Sequence, residues 1–409
     1  MFTPREVETI VKGSRVTGRG SIIKGISTDS RTVKKGELFI PLVGPKFDGR
    51  KFIPAVLKKG ALALKTADGL AALQTLAAYH RAKFRLPVIG ITGSVGKTTT
   101  REMIASILAQ KYPVLQNEAN YNNEIGVPLT LLRLTKKHRA AVIEMGMQGL
   151  GEIKLLAGIA RPTVAVVTNI GESHLGRLGS RRNIAKAKAE IFAFLKKGDR
   201  AVINQDDEFA EHLKSKVKSQ KSKIMTFGLL EKADVTTKEL AGIKLPLPGE
   251  HNIYNALAAI AVARLLRVDR PAIRRGLERV RPAAHRMAVI NLPDRTKIID
   301  DTYNASPRSM TAALRVLAAL DGRKIAVLGD MLELGRQSRP AHRRIIALAR
   351  RLKVDKIFTF GRLWPAATGP EKTHRPLIRK LRKFIRPRDI ILVKGSRGTR
   401  LETVVAALS

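Results

Sequence analysis

The 409-residue sequence predicts an α/β protein of three domains, and three observations carry that expectation. Strand-like apolar runs alternate with helical spacing along most of the chain, the pattern of parallel sheets joined by crossover helices. The length exceeds what one hydrophobic core serves, and 44% hydrophobic residues supply enough apolar material for several cores. The basic, proline-containing stretch RVRPAAHR at 279–286 interrupts the helical patterns and reads as a linker. Domains are accordingly expected at residues 1–84, 85–283 and 284–409.

In the first domain, a small α/β unit, helical spacing covers 5–12 and 67–83, with an apolar stretch over 37–43 and a Gly44-Pro45 turn signal. The middle domain opens with a β-rich run at 88–92, a glycine turn at 93–96 and helical spacing over 97–110. Buried-looking strands follow at 141–145, 163–168 and 200–204, so its sheet is predicted to be largely parallel. The third domain repeats the alternation, with strands at 297–300, 324–328, 356–360 and 389–394. Its layout is Rossmann-like but lacks a GxGxxG fingerprint.

Composition narrows the chemistry. Cys is absent, which removes disulfides, thiolate nucleophiles and cysteine zinc sites, so any metal is held by oxygen or imidazole. The formal net charge is +42, from 76 Lys plus Arg against 34 Asp plus Glu. Such an excess invites a nucleic-acid reading. The bases are nevertheless spread along the chain, and only 4% of residues are aromatic, so stacking platforms for single strands are not evident. Steering of highly anionic substrates accounts for the charge equally well, and no specific nucleic-acid partner is expected. No apolar run spans a bilayer, and the opening MFTPREVETI lacks the pattern of a signal peptide. A cytoplasmic chain without membrane insertion is the expectation.

The segment GSVGKTT carries the clearest chemistry. Its glycines let successive backbone N–H groups turn toward phosphate oxygens, Lys97 supplies a point charge, and the Thr98 hydroxyl suits magnesium. The full Walker pattern places glycine five residues before Gly96, where this chain has Ile91. Taken alone, GxxGKT also fits a solvated turn. A strand before it and a helix after it make Gly93, Ser94, Val95, Gly96, Lys97, Thr98 and Thr99 a phosphate loop for ATP.

Three further residues are candidates for one metal site. Glu144 ends a strand in AVIEMG and His174 follows another in VVTNIGESHLG, both on the loop-bearing edge of a parallel sheet where ligand sites gather. A carboxylate and a neutral imidazole suit Mg²⁺ beside phosphates, although imidazole is an unusual magnesium ligand. Lys188 in IAKAKAEIF reads from the residues alone as a surface helix base, because a free ammonium repels a metal.

Taken together, STDSRTVKKGELFIPLVG, ITGSVGKTTTREM, NYNNEIGVPLTLL, IEMGMQGLGEI, VVTNIGESHLG, AKAEIF, PGEHNIYNALAA, DDTYNASPRSM, LGDMLELG and VKGSRG resemble the Mur ligase family over nearly the whole chain. The resemblance implies a UDP-sugar domain, a central ATPase domain and a C-terminal domain for the amine substrate. DDTYNASP and LGDMLELG favour the member that adds D-alanyl-D-alanine to UDP-N-acetylmuramoyl-tripeptide over siblings that add single amino acids. It further implies that Lys188 is carbamylated into an anionic ligand. Lys188, Glu144 and His174 then serve a second Mg²⁺, while Thr98 serves the first with the ATP phosphates.

By the same resemblance Asn252 and Asn255 of GEHNIYN belong to the nucleotide pocket, and Asp207 of INQDDE looks similar; helix capping or turn stabilisation is the alternative for each. Arg286 is similar to an arginine reaching the ATP phosphates, and Asp301 to an acid on the nucleotide ribose; linker salt bridges are their alternative. Ser30 and Arg31 of TDSR resemble residues at the UDP end of the sugar nucleotide, or else form a turn with a solvated arginine. Asn304, Ser306 and the stretch from Lys394 to Arg397 sit where the incoming dipeptide should approach, and Ser306 replaces the family's more usual Asn.

The implied reaction is attack of the tripeptide carboxylate on the γ-phosphorus of ATP, then displacement of phosphate by the dipeptide amine, in a monomer. Lys97, Arg286 and two Mg²⁺ are expected to balance the charge of the two anions. His174, if metal-bound, is a poor base for the amine. Two competing readings remain at the level of sequence: the same architecture with another acceptor, as in folylpolyglutamate or pseudomurein-type ligases, and a nucleic-acid-stimulated P-loop ATPase.

Overall fold

The computed structural model describes residues 2–118, 120–218, 220, 222–230 and 232–409. Within them the chain forms sheets of four, six and five strands and a two-stranded ribbon. The helices and strands expected from the sequence in the middle and third sheets are present, with ends moved by at most two residues.

The middle sheet is parallel throughout, in the order Lys223–Phe227, Arg200–Asn204, Val164–Val167, Val88–Thr92, Ala140–Glu144, Val114–Gln116. Its three central strands are buried at every position, as expected of strands covered by helices on both faces. That is why they read as continuous apolar runs. Between Ala140–Glu144 and Val164–Val167 the chain crosses from one flank of Val88–Thr92 to the other. Ligand crevices form at such a change of direction, outside the carboxyl ends of the strands.

In the first sheet Arg15–Thr17 pairs antiparallel with Leu62–Lys65, and Leu38–Phe39 and Ile26–Ser27 continue it in parallel. The helix Gly69–Ala82, capped by the Asp68 carboxylate, packs against Gly126–Leu131 and Glu152–Ala160 of the middle unit. His80 Nε2 lies 2.9 Å from the Leu134 carbonyl, and Arg81 Nε donates to the Ala160 carbonyl at 2.9 Å. The first sheet and one face of the middle sheet therefore share a continuous apolar core.

The third sheet runs Ala288–Asn291, Lys297–Asp301, Ile390–Lys394, Lys324–Gly329, Lys356–Phe360, parallel except for its first strand. The segment between helix Arg270–Glu278 and Ala288 has no regular structure.

Helix Lys97–Leu108, which follows the phosphate loop, lies against Arg270–Glu278 at their closest over Gly276. A Cβ there would stand 2.4 Å from Ile107 Cα, a backbone atom with nowhere to go. Gly276→Ala is expected to cost about 1–3 kcal/mol by forcing the helices apart. A lower urea midpoint at unchanged m-value checks this, and an unchanged midpoint contradicts it.

Candidate active site

The carboxyl ends of Val164–Val167, Val88–Thr92 and Ala140–Glu144 lie side by side and carry the site. After Val88–Thr92 the chain needs two left-handed glycines, Gly93 at φ 154° and Gly96 at φ 84°. A side chain at Gly93 would put a Cβ 1.8 Å from Thr168 Oγ1, and one at Gly96 would meet Asn255 Oδ1 at 2.2 Å. The loop between them is pinned from 168–173. The Ser94 amide donates to the Asn169 carbonyl at 3.0 Å, and the Val95 amide donates to Asn169 Oδ1 at 3.1 Å. Thr168 Oγ1 and Asn169 Nδ2 both donate to the Val95 carbonyl, at 2.6 and 2.9 Å. The loop is thus held by the chain's own hydrogen bonds, and its open face lies at the start of a helix where backbone N–H groups attract anions.

Lys97 folds back and donates from Nζ to the Gly93 carbonyl at 2.8 Å. Burial lowers its ammonium below the usual lysine range, with Glu144 and Glu333 opposing that shift and Arg286 adding to it. Thr98 Oγ1 donates to Glu144 Oε2 at 2.8 Å, and Asn122 Nδ2 donates to Glu144 Oε1 at 2.7 Å. Arg101 adds a third contact, Nη1 standing 3.5 Å from Glu144 Oε2. Behind the loop, Asn255 accepts from Thr100 Oγ1 and donates to Asn252 Oδ1, and Asn252 Nδ2 donates to the Pro248 carbonyl. Asn255 therefore ties helix Glu250–Leu265 to helix Lys97–Leu108 beside the phosphate loop, Asn252 holds Asn255 and the approach to its own helix, and both line the same cavity.

That cavity, about 1170 Å³, lies between the middle and third units. It takes in the loop from Ser94 to Thr99, together with Glu144, His174, Lys188 and the two asparagines. The third unit contributes Arg286, Asp301, Asn304, Ser306 and Lys394.

Lys188 overturns its reading as a surface base. Its helix, Arg181–Ala189, looks polar in sequence, yet Lys188 is 1% exposed because the helix turns it into the cavity. Burial first, and the charge of Lys97 second, push its ammonium well below the ordinary lysine range. The neutral amine this favours is a nucleophile rather than a repelling cation.

His174 is held at φ 64°, with Nδ1 3.1 Å from Glu333 Oε2 of the third unit. Burial, then Lys188, Lys97 and Arg177, depress its pKa to about 3, so it is neutral near pH 7. Burial likewise lowers His80 and His342. All three gain protons more readily when unfolded, so their contribution to stability is complete above pH ~6.5 and is lost on acidification. Each such histidine removes up to about 1.4 kcal/mol per pH unit below that point. Denaturant unfolding should show stability falling from pH 7 to pH 5, and a flat profile would contradict neutral burial.

In the third unit the register of two parallel strands sets Asp301 opposite Lys394. Lys394 Nζ donates to Asp301 Oδ2 at 2.6 Å and to the Asn304 carbonyl at 2.9 Å, so the three form one partly buried cluster around a buried lysine. Arg286 stacks over the Tyr303 ring at 3.9 Å, between the left-handed residues His285 and Met287. Ser306 caps helix Pro307–Ala318 in a reciprocal box with Ser309.

Other sequence candidates lie elsewhere. The Asp207 carboxylate accepts from the Ile170 amide at 2.7 Å and the Phe209 amide at 3.0 Å, the turn-stabilising alternative, and it is not among the cavity-lining residues. It shapes the turn leading toward His174. Arg397 points away, paired with Glu402 at 3.1 Å. Ser30 and Arg31 lie in the first unit outside the cavity. There Arg31 clamps Asp29 at 2.7 Å and holds that carboxyl down at about 2. Gly93 supports the loop from beneath without lining the cavity.

Sequence reasoning missed Asn122, Asn169, Arg101 and Glu333. Asn169 stands in TNIGESH, where a run of polar residues shortly after the apolar strand Val164–Val167 was the available signal, while Asn122 in NYNNEIG carried only its place in a quoted family segment. Glu333 stands in LGDMLELG, a segment that carried the family resemblance but no sign of a contact with His174.

A model of the Mur ligase family catalytic domain matches residues 22–112, one of the Mur ligase middle domain matches 91–263, and one of the Mur ligase glutamate ligase domain matches 285–397. The UDP-N-acetylmuramoyl-tripeptide–D-alanyl-D-alanine ligase of Synechocystis is 38% identical, over 94% of this chain and 92% of its own. MurF from Acinetobacter baumannii, 35% identical, superposes with a TM-score of 0.91 over 100% of this chain and 98% of that one. The MurF ligase of Thermotoga maritima, solved in complex with ADP, is 27% identical with a TM-score of 0.80, over 94% of this chain and 96% of that one. A phosphate loop, a cavity closed by a third α/β unit and family models over most of the length converge: the chain belongs to the Mur ligase family of ATP-dependent ligases.

Proposed function

We propose that this chain joins D-alanyl-D-alanine to UDP-N-acetylmuramoyl-tripeptide, cleaving ATP to ADP and phosphate. One observation carries the reading: a single cavity connects the phosphate loop to the Asp301, Asn304 and Lys394 cluster, in a chain whose relatives bear this ligase name. The cavity supports a division of labour in which residues 85–283 hold ATP and 284–409 receive the amine. Residues 1–84, with Ser30 and Arg31, hold the UDP sugar. The substrates so assigned are water-soluble, and no helix among the described residues is long and apolar enough to cross a membrane. The reading places the enzyme in the cytoplasm, working as a monomer.

The donor set fits magnesium. Among the described residues no three His, Asp or Glu side chains cluster into a metal site of their own. Mg²⁺ commonly takes only one or two protein carboxylates and completes its shell with substrate phosphates and water. Thr98 would serve one ion beside the phosphates, and Glu144, His174 and a carbamate on Lys188 a second. When bound, the ions supply charge neutralisation at the transferring phosphoryl group.

The chain's own residues do the rest. Loop amides from Ser94 to Thr99 orient the phosphates, and Lys97 leaves the Gly93 carbonyl for them. Arg286 offers a second cation from the junction. The tripeptide carboxylate attacks the γ-phosphorus, ADP leaves, and the acyl phosphate forms. The dipeptide amine then attacks the acyl carbon; phosphate departs and the amine loses its proton. Asp301 fixes Lys394, and Lys394 with Asn304 faces the amine substrate. Enclosure between the two units keeps water from the acyl phosphate.

ADP release tests the reading. It should require UDP-muramoyl-tripeptide and D-alanyl-D-alanine together, and should ignore RNA and DNA. Release stimulated by nucleic acid and indifferent to the muramoyl peptide would replace the ligase with a nucleic-acid-dependent ATPase. Dependence on the muramoyl peptide with a different amine would keep the architecture and change the acceptor.

A further inference from the structure

Residues 333–335 of the third unit rest on 174–176 of the middle unit through three contacts. Glu333 Oε2 stands 3.1 Å from His174 Nδ1. The Gly176 amide donates to the Glu333 carbonyl at 3.0 Å. The two backbones pass so closely that a Cβ on Gly176 would lie 2.8 Å from the Gly335 nitrogen. Gly335 itself is left-handed, at φ 54°. The junction is thus a fitted one, in which both glycines are required by the approach.

An imidazole binds a metal through one nitrogen, and the hydrogen bond at the other decides its tautomer and ring orientation. A carboxylate oxygen 3.1 Å from Nδ1 favours the tautomer protonated on that nitrogen, which leaves the Nε2 lone pair free for a metal. His174 belongs to the middle unit and Glu333 to the third. The 3.1 Å contact between the two side chains exists only while the two units are docked.

We infer that Glu333 is a positioning residue that couples docking of the third unit to metal binding at His174. Docking presents Nε2, and the metal in return holds the units together, because such coupling is reciprocal. The charge needed at the phosphoryl group is then assembled only when the cavity is enclosed, which guards the acyl phosphate from hydrolysis. This inference rests on the reading of Glu144, His174 and Lys188 as a metal site.

The test uses the full chain with ADP and bicarbonate, with Mn²⁺ as the probe counted by electron paramagnetic resonance and compaction followed by solution scattering. The wild type should bind two Mn²⁺ and become more compact as the second binds. Glu333→Ala should weaken the second Mn²⁺ by about 10–100-fold, leave the first unchanged and abolish the compaction. The Glu333 side chain is 39% exposed, so its truncation opens no cavity. Glu333→Gln, whose amide oxygen still accepts from Nδ1–H, should stay within about threefold of the wild type. Gly335→Val, which obstructs the junction without touching Glu333, should weaken the second Mn²⁺ as Glu333→Ala does. An unchanged second site in Glu333→Ala or Gly335→Val, or an equal loss in Glu333→Gln, overturns the coupling alone. A wild type that binds a single Mn²⁺ overturns the metal-site reading and the inference with it.

Discussion

Lys188→Ala should lower turnover by about 10³-fold or more, and short carboxylates such as acetate or formate should restore part of it. The argument begins with burial. A charged lysine at 1% exposure without a paired carboxylate is costly, and among the described residues the structure records no hydrogen bond or ion pair for the Lys188 side chain. Its ammonium is instead pushed well below the ordinary lysine range, by burial first and Lys97 second, which favours the neutral amine over the cation. A neutral amine adds CO₂, loses a proton and becomes a carbamate, exchanging a group that repels Mg²⁺ for one that attracts it. Alanine removes both forms, while a small carboxylate can enter the vacated space and supply the missing oxygens. Lys188→Met fills the volume and serves as the packing control. It should melt near the wild type, stay inactive and resist rescue. Activity above about a tenth of wild type in Lys188→Ala would remove the carbamate from the mechanism.

The difference between the two readings of Lys188 shows what a sequence carries and what it does not. Val88–Thr92, Arg200–Asn204 and Lys356–Phe360 were legible to the residue, because the ends of such runs are marked by prolines, charged turns or glycines. Val114–Gln116, Lys223–Phe227 and Ala288–Asn291 were not. All three are edge strands of their sheets and only partly buried, which dilutes their apolar signal, whereas Lys356–Phe360, also an edge strand, keeps an Ile-Phe-Thr-Phe run that marks it. In the site, the phosphate loop, Glu144 and His174 were visible because each directly follows an apolar strand. The burial of Lys188 was invisible, since RRNIAKAKA reads as a solvated helix and only the neighbouring cavity wall shows otherwise. The pairing of Asp301 with Lys394 depends on the register of strands 93 positions apart, and the Glu333 contact on docking of two units. Asp207 shows the opposite ambiguity: an Asp after a strand caps turns as readily as it meets a ligand, and its carboxylate holds the turn at Ile170 and Phe209.

Lys97→Ala should reduce kcat by about 10²–10³-fold while changing nucleotide binding far less. In the structure the phosphate loop owes its shape to Gly93, Gly96 and the hydrogen bonds from Thr168 and Asn169, none of which involves the Lys97 side chain. Deleting that side chain therefore leaves the amide cradle in place, and the cradle continues to bind phosphates. What is lost is a mobile cation: the ammonium held on the Gly93 carbonyl at 2.8 Å has a partner it can exchange for the transferring phosphoryl group. A charge that meets the transition state more strongly than the ground state acts on kcat rather than on affinity. Lys97→Arg should not substitute, because the planar guanidinium is bulkier and the space beside Gly93 and Glu144 is buried. The measurement is ADP affinity by calorimetry set against steady-state turnover with both substrates. A loss of ADP affinity as large as the loss of kcat would show that Lys97 builds the loop rather than serving the transfer.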